Sequence, residues 1–419
     1  MSRDVTFAVI DVGTTKVLTL IGRSDGYGGA EVLGAGIAPA AGIRKGVVVD
    51  AGEARESIRE SVEDARFAAG VPATSAFVTV SGSHLDAQVS WGALHSVSEE
   101  AAVTQTELEL ATEAAHPEGL STRRTLIHKL PRSCSIDGLR NVRNPIGMHA
   151  LKIEMETVCV TGEASSINAL VGTVESARVK VEGIVAAPVA AAEAVLTAEE
   201  MERGVVLMDI GGGVTTVAVY RHGALWNTGV LPLGGSQFTT DLSLALNVAP
   251  ETAEEIKVRY GQAALDIMGD ESLEIESPAD GRVVRFERRA IARYLHERAA
   301  ELFRFADAKL ESFGFPTLPP AGLVLTGGGS ALRGIERVAR QQLGPPVRFG
   351  VPEDLGLPYD LRDAAFAAGT GALHWASRQP RSAESLREQE RRRKFNESYA
   401  QANAGPLSWL KDRMSKAAS

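Results

Sequence analysis

The order of apolar and polar positions repeats at two places along the chain. Residues 6–20 and residues 204–220 each consist of an apolar stretch, a short polar turn and a second apolar stretch. This pattern predicts a strand, a tight turn and another strand in each case. A third apolar stretch, residues 322–326, runs into a glycine-rich turn that a predicted helix follows. We therefore expect a mixed α/β fold built from two similar halves.

Both turns combine an aspartate at the end of a strand with glycines and hydroxyl-bearing residues. They read Asp11-Val12-Gly13-Thr14-Thr15-Lys16 and Asp209-Ile210-Gly211-Gly212-Gly213-Val214-Thr215-Thr216. Glycines let consecutive backbone N–H groups point at an anion, and hydroxyl groups add further donors. An aspartate repels phosphate, but it can orient the water molecules around a Mg²⁺ ion. Two such hairpins facing each other would clamp a nucleoside triphosphate.

The amino-acid composition limits the kinds of partner and the cellular compartment that we expect for this protein. The net charge of −9 and the sequence pI near 5.5 argue against a nucleic-acid partner, because binding to phosphate backbones requires a basic face. Cys134 and Cys159 lack CxxC spacing, which predicts a reducing compartment and packing roles. The chain enters its first strand without a signal-peptide pattern, so we expect a cytosolic protein. The longest apolar stretch, residues 184–196, is too short to cross a bilayer.

The end of the chain changes character twice. Residues 378–405 are charged and poor in large apolar side chains, which predicts a solvated linker. Residues 406–419 regain apolar positions at helical spacing, which predicts an amphipathic helix. We expect this helix to bind anionic lipid, with docking onto a protein surface as the alternative. The residues that would meet the membrane are Leu407, Trp409, Leu410, Met414, Lys411 and Arg413.

The three glycine-rich turns occur in the order typical of one superfamily. Two phosphate loops followed by a nucleoside loop, here Gly327-Gly328-Gly329-Ser330, resemble actin, the Hsp70 chaperones and the sugar kinases. The additional segment after the strand at residues 76–80 resembles the bacterial cell-division FtsA family, since actin, Hsp70 and MreB carry their extra domain elsewhere. The resemblance covers residues 5–376. Further FtsA-like motifs are Trp91-Gly92, Asn144-Pro145-Ile146-Gly147-Met148, Ala187-Pro188-Val189, Leu233-Gly234-Gly235 and Ala253-Glu254-Glu255-Ile256-Lys257.

This resemblance implies an α/β, actin-like (ribonuclease H-like) fold of two lobes with an inserted α+β domain and a C-terminal amphipathic helix. The inserted domain is expected to hold a helix at residues 105–115 and strands near residues 125–130 and 152–160. The implied domains are the first lobe (1–82, 161–203 and 350–377), the inserted domain (83–160), the second-lobe core (204–235 and 319–349), the second-lobe upper domain (236–318), the linker (378–405) and the membrane helix (406–419).

The resemblance also implies ATP and Mg²⁺ as cofactors and assigns roles by position. Asp11 and Asp209 would hold Mg²⁺ through water, and Asp209 is also the one catalytic candidate. Glu254 and Lys257 would reach the nucleoside, although a solvent-facing ion pair is the alternative for them. The other residues implied to bind the nucleotide are Gly13, Thr14, Thr15, Lys16, Gly211, Gly212, Gly213, Thr215, Gly234, Gly235, Gly327, Gly328, Gly329 and Ser330.

A protein that resembles FtsA would form filaments with itself on the inner face of the cytoplasmic membrane, at the division site. It would bind the C-terminal tail of the tubulin-like protein FtsZ and recruit later division proteins through the inserted domain. The upper domain carries an arginine-rich stretch that is our candidate surface for the acidic FtsZ tail, although a solvated face is the alternative. Its candidate residues are Arg285, Arg288, Arg289 and Arg293.

ATP turnover is expected to be weak or absent. Hsp70 and MreB place a glutamate before the proline of the connecting helix to orient a water molecule, whereas Ala187 precedes Pro188 here. An alanine side chain cannot hold a nucleophile, unless Asp209, Glu193 or a backbone group compensates. Two other functions stay open. They are an ATP-dependent enzyme of the sugar-kinase or chaperone type and a pilus-assembly protein similar to PilM.

Overall fold

The computed structural model describes residues 5–24, 29–95, 102–117, 119–266, 272–276, 283–352 and 361–379. The chain divides into one unit of residues 1–377 and a second unit of residues 378–419. The predicted linker beyond residue 379 and the whole predicted amphipathic helix lie outside the described residues. In the described ranges, no helix combines the length and the apolar character needed to cross a membrane.

The secondary structure alternates between strands and helices. The strands are β1 (Val5–Val12), β2 (Lys16–Ser24), β3 (Ala30–Pro39), β4 (Ile43–Arg44), β5 (Val47–Val48), β6 (Ser75–Val80), β7 (Asp86–His95), β8 (Arg124–Ile136), β9 (Lys152–Glu163), β10 (Lys180–Ala186), β11 (Val205–Ile210), β12 (Thr215–Arg221), β13 (Ala224–Leu231), β14 (Ser272–Glu276), β15 (Val283–Glu287), β16 (Leu323–Thr326) and β17 (Val347–Phe349). The α-helices are α1 (Ala51–Ala69), α2 (Gln105–Ala114), α3 (Ala164–Ser176), α4 (Ala187–Val195), α5 (Ala198–Arg203), α6 (Gly235–Leu246), α7 (Pro250–Tyr260), α8 (Arg288–Ser312), α9 (Ile335–Leu343) and α10 (Ala367–Ser377). Short 3₁₀ helices span Gly328–Ala331 and Ala364–Phe366.

Two five-stranded sheets repeat one topology. The first has the order β3-β2-β1-β6-β10 and the second the order β13-β12-β11-β16-β17. In each sheet an antiparallel hairpin, β1–β2 or β11–β12, is flanked by an antiparallel strand on one side and by two parallel strands on the other. The prediction of two similar α/β halves is confirmed. Because the topologies match, each glycine turn lies at the carboxyl edge of its own sheet.

Helices cover both faces of the first sheet. Successive side chains of a strand point to opposite faces, and β1 is apolar on both. Ala8 and Ile10 lie in one apolar cluster with Ile58 of α1, whereas Val9 lies in another with Leu373 of α10. All of these residues are buried. The apolar run therefore fixes the strand between two helix layers and positions the turn that follows it.

The inserted domain forms a sheet of its own, with the order β7-β9-β8 and all strands antiparallel. Helix α2 begins where expected, because Thr104 and Glu107 form a reciprocal capping box at its N-terminus. The strands β8 and β9 extend beyond the expected ranges. The sequence did not predict β7, since buried Ser90 and the neighbouring Gly92 interrupt its apolar alternation and pairing with β9 holds it in place.

Two contacts join the inserted domain to the lobes. The Ala186 N–H, just before α4, donates a hydrogen bond of 2.9 Å to Nε2 of His128 on β8. Burial lowers the pKa of His128 to about 4, so the ring stays neutral and can accept this bond. On the side of the second lobe, the Arg132 guanidinium lies 3.5 Å from the ring centroid of Trp226 on β13. The inserted domain therefore contacts both lobes.

Candidate functional site

The glycine turns of the two hairpins touch each other across the cleft between the sheets. A Cβ atom built on Gly212 would lie 2.4 Å from Thr15 Cγ2, and one built on Gly213 would lie 2.7 Å from Thr14 Oγ1. Real Cβ atoms do not approach other heavy atoms this closely. The absence of side chains at these two glycines therefore allows the turns of the two lobes to meet.

A cavity of about 380 Å³ opens beside this contact. Its volume lies within the usual range of small-molecule sites, roughly 300–1,000 Å³. Most of the nucleotide-binding residues implied by the sequence line it, although they come from five separate segments of the chain. These residues are Asp11, Gly13, Thr14, Thr15, Lys16, Asp209, Gly211, Gly212, Gly213, Gly235, Glu254, Lys257, Gly327, Gly328 and Gly329.

Three implied residues do not line the cavity. The Thr215 hydroxyl donates a 2.8 Å hydrogen bond to the Leu233 carbonyl, and the Ser330 hydroxyl donates one of 2.7 Å to the Gly327 carbonyl. The Gly234 N–H donates to the Gln237 side chain at the start of α6. Thr216, the neighbour of Thr215, pairs with Asp209 across the hairpin and lines the cavity. Adjacent residues of a strand point to opposite faces, so only one of the two threonine side chains can line the cavity.

Two aspartates lie in the cavity wall at the ends of the equivalent strands β1 and β11. Burial raises the pKa of Asp11, against a hydrogen bond donated by Thr79 and the charge of Lys16. Burial also raises the pKa of Asp209 to about 7, and the negative charge of Asp11 adds to this effect while Lys16 opposes it. The wall therefore holds two carboxylates whose ionisation is unfavourable until a cation compensates them.

Lys16 lies among these carboxylates. Burial lowers the pKa of its ammonium group, whereas the charges of Asp11, Asp209 and Asp363 act in the opposite direction. The Lys16 Nζ lies 4.3 Å from the ring centroid of Phe366. Asp363 also caps the short helix at Ala364–Phe366 by accepting a hydrogen bond from the Ala365 N–H. Both the lysine and this short helix contribute to the cavity wall.

Glu254 and Lys257 form more than a surface ion pair. The Lys257 Nζ donates hydrogen bonds to Glu254 Oε2 at 2.7 Å, to Thr239 Oγ1 at 2.8 Å and to the Gly235 carbonyl at 3.1 Å. The last two partners belong to α6, so the lysine joins α7 to the helix that follows Gly234. Both charged side chains line the cavity.

The sequence interpretation missed several wall residues. Ser81 follows β6 in the first sheet as Gly327 follows β16 in the second, so the repeated topology itself was the signal that could have found it. Ala187 also lines the cavity, whereas Glu193 is not one of the wall residues. Other missed wall residues are Val214, Thr216, Ser236, Phe238, Val258, Gly261, Ala331, Leu332, Arg333, Ala364, Ala365 and Ala368.

The arginine-rich stretch lies on β15 and at the start of α8. Arg285, Arg289 and Arg293 are exposed, whereas Arg288 is partly buried. Further along α8, Arg298 is bound by the carboxylates of Asp241 and Glu301. A groove of about 570 Å³ lies between α6 and α8, and Tyr294, the residue after Arg293, is part of its wall. Its walls are Asp241, Leu244, Ala245, Tyr294, Glu297, Arg298, Glu301 and Arg304.

Comparisons with solved structures give the fold. The chain is similar to a chain of the PilM-PilN type IV pilus biogenesis complex, with a TM-score of 0.62 and 17% identity over 90% of this chain and 100% of that one. It is also similar to MreB5 of Spiroplasma citri bound to ADP, with a TM-score of 0.51 and 14% identity over 87% of this chain and 94% of that one. Together with the duplicated sheets, these likenesses define an actin-like fold, which confirms the predicted fold.

Comparisons of sequence give the family. The model described as cell division protein FtsA matches residues 206–371, and the model of the SHS2 domain inserted in FtsA matches residues 82–161. The FtsA of Pseudomonas aeruginosa is 34% identical over 87% of each chain, and that of Neisseria meningitidis is 33% identical over 88% of this chain and 89% of its own. The chain belongs to the FtsA family of cell-division proteins. The family predicted from the sequence is confirmed.

The pKa of Asp209 leads to a prediction for the ligand-free protein. Between pH 3.8, the ordinary value for this side chain, and about pH 7, the unfolded chain has lost this proton and the folded chain still holds it. Rising pH therefore lowers the free energy of unfolding over this window, and the loss is complete at pH 8. We expect Asp209→Asn to raise the Tm at pH 8 by roughly 2 °C or more and to change it little near pH 4.

Thermal unfolding followed by circular dichroism measures this effect. Asp86→Asn, at an exposed aspartate of β7, is the matched control and should leave the pH profile of the Tm unchanged. A lower Tm for Asp209→Asn at pH 8 would show that the ionised carboxylate stabilises the empty cleft.

Proposed function

We propose that this protein binds ATP with Mg²⁺, polymerises on the cytoplasmic membrane at the division site and tethers the C-terminal tail of FtsZ there. The contact between the two glycine turns, from Thr15 to Gly212 and from Thr14 to Gly213, carries the nucleotide part of this proposal. Membership of the FtsA family supports the division role over the kinase, chaperone and pilus-assembly alternatives.

The wall of the cavity suits a Mg-bound triphosphate. Backbone N–H groups and hydroxyls of the two turns would bind the phosphates, and Lys16 would add a positive charge. The solved MreB5 of similar fold is bound to ADP. Within the described ranges no group of three or more His, Cys, Asp or Glu side chains could hold a metal directly. Asp11 and Asp209 would hold Mg²⁺ through water, and the ion would neutralise phosphate charge.

We further propose that the bound ATP is hydrolysed slowly or not at all. In-line attack on a terminal phosphate requires a group that positions the water molecule. Ala187 offers no such group, and Glu193 is not in the wall. Asp209 is the remaining candidate base, and its raised pKa favours the protonated form in the empty cleft. A site of this kind holds a nucleotide as a structural switch.

Membrane binding would come from the C-terminal helix proposed at residues 406–419. A single short amphipathic helix binds lipid weakly and reversibly. A filament presents many copies, so once one helix is bound the others face a high effective concentration of membrane. ATP would strengthen membrane binding in this way, because it would favour the polymer. The inserted domain, with both lobes against it, would present a separate surface to later division proteins.

The second-lobe upper domain is the proposed site for the FtsZ tail. Exposed arginines at the start of α8 would attract an acidic peptide, and long-range attraction of this kind also speeds association. The groove next to them adds the apolar side chains of Leu244, which is 76% exposed, and Tyr294, which is 43% exposed. Arg298 is already paired with Asp241 and Glu301, so the attraction would rest on the other arginines of the stretch, Arg285, Arg288, Arg289 and Arg293.

Sedimentation with anionic vesicles tests the membrane role. We expect the full chain to sediment with vesicles that contain phosphatidylglycerol, and more strongly with MgATP than without it. Leu410→Glu should weaken this binding at least roughly tenfold, because a leucine of the apolar face is lost.

Ser408→Glu adds the same charge away from that face and serves as the matched control. A chain truncated after residue 405 should remain in the supernatant. Equal sedimentation of the truncated and full chains would refute the membrane helix.

Fluorescence anisotropy with an acidic peptide of the FtsZ tail tests the docking surface. Charge reversal at Arg289 and Arg293 should weaken peptide binding by roughly tenfold or more, because attraction becomes repulsion. Reversal at two exposed arginines elsewhere, Arg123 and Arg140, changes the net charge equally and should have little effect. Equal losses in both double variants would assign the effect to overall charge and remove the proposed surface.

A further inference from the structure

A tight hairpin outside the glycine loops reaches the point where those loops meet. Strands β4 and β5 are joined by only two residues, Lys45 and Gly46. Both have positive φ, 50° and 75°, as a type I′ turn requires. No sequence motif pointed to this hairpin as part of a site.

The turn contacts both phosphate loops. The Gly46 N–H donates a 3.2 Å hydrogen bond to Thr14 Oγ1 of the first loop. A Cβ atom built on Gly213, in the second loop, would lie 3.0 Å from the Lys45 Cα. The backbone of this turn thus packs against the same two residues that bring the lobes together.

The other side of the turn packs closely against the backbone of residues 81 and 82. A Cβ atom built on Gly46 would lie 2.5 Å from the Ser81 carbonyl oxygen, and one on Gly82 would lie 3.2 Å from the Lys45 carbonyl oxygen. Ser81 itself lines the cavity. A side chain that leaves such a turn begins from a fixed position, which is what an ordered binding contact requires.

The residue type at position 45 is the unusual feature. Asn, Asp and Gly are the residues that this turn position favours, because other side chains make positive φ costly. Among the described residues, the non-glycine positions with positive φ are Lys45, Asp137, Asn141, Arg178, His222 and Asn247. Four of these six are Asn, Asp or His, which tolerate the conformation best. A lysine kept in a strained turn beside a functional site points to a use for its side chain.

The charge balance of the cavity indicates that use. The cations in its wall are Lys16, Lys257 and Arg333, and Lys257 is already bonded to Glu254. A triphosphate would add several negative charges next to the carboxylates of Asp11 and Asp209. The Lys45 ammonium lies on a flexible stem attached beside the Gly213 loop, so it can approach the end of a phosphate chain from outside the two loops.

We propose that Lys45 contacts the terminal phosphate of a bound nucleoside triphosphate and thereby makes the site distinguish triphosphate from diphosphate. The inference rests on the nucleotide binding proposed above. In this proposal the third phosphate reaches the turn and a diphosphate does not, so Lys45 would contact the triphosphate alone. The hairpin then forms a third element of the phosphate site, together with the two glycine loops.

Binding of MgATP and MgADP to the full chain, measured by isothermal titration calorimetry, tests this assignment. We expect Lys45→Asn to weaken MgATP binding roughly tenfold or more while changing MgADP binding less than about twofold. Asparagine fits positive φ, so the Tm of the variant should equal or exceed that of the unmodified protein. Lys45→Gly, which suits the same turn, is a second variant with the same expected result.

Arg44→Gln, at the exposed residue that precedes Lys45, removes the same charge and should leave both affinities unchanged. Folded Lys45 variants that keep the ratio of the two affinities, or that lose both equally, would overturn the inference. If the unmodified protein binds neither nucleotide, the proposed function itself fails, and that outcome is distinct because it appears before any variant is compared.

Discussion

The site depends on close contact between the glycine loops of the two lobes, which is possible because Gly212 and Gly213 carry no side chains. Gly212 and Gly213 let the second lobe approach Thr15 and Thr14 of the first lobe to within van der Waals distance. A Cβ atom at either glycine would force the neighbouring threonine side chain or the loops themselves to move. Because both sheets have the same strand order, the two loops occur at equivalent edges and can converge on one point. The fold thus converts a repeated sequence pattern into two facing halves of a single cleft.

The electrostatics of the cleft complement this geometry. Two aspartates and one lysine, all partly buried, lie in a wall that an ordinary protein interior would fill with apolar side chains. Unfavourable ionisation of Asp209 makes the empty site less stable than it could be, which is typical of residues kept for function. A bound cation would reverse that penalty. The same charges therefore explain both a destabilised empty cleft and the proposed preference for a Mg-bound ligand.

Much of this arrangement could be predicted from the sequence because turn chemistry is local. Aspartate, glycine and threonine at residues 11–15 and 209–216 identify the loops without knowledge of the fold. Details that depend on the pairing of strands could not be predicted so easily. Thr216 rather than Thr215 lines the cavity because β12 pairs Thr216 with Asp209, and this parity is a property of the hairpin register.

Contacts between distant parts of the chain also could not be predicted from the sequence. Strand β7 carries no clear alternation, and only its pairing with β9 defines it. The turn at Lys45 and Gly46 reaches the glycine loops from a segment with no recognisable motif. Arg298 reads as one more positive charge in an arginine-rich stretch, but two carboxylates from the folded chain neutralise it. In each case the role of a residue depends on a contact with a distant segment of the chain, and the local sequence pattern does not predict that contact.

The most direct measurement of the central claim is a crystal structure of the protein with Mg²⁺ and a non-hydrolysable ATP analogue. The account predicts the triphosphate between residues 13–15 and residues 211–213, with the water shell of the Mg²⁺ ion against the carboxylates of Asp11 and Asp209. A nucleotide bound elsewhere, or a triphosphate that contacts only one of the two glycine loops, would contradict it.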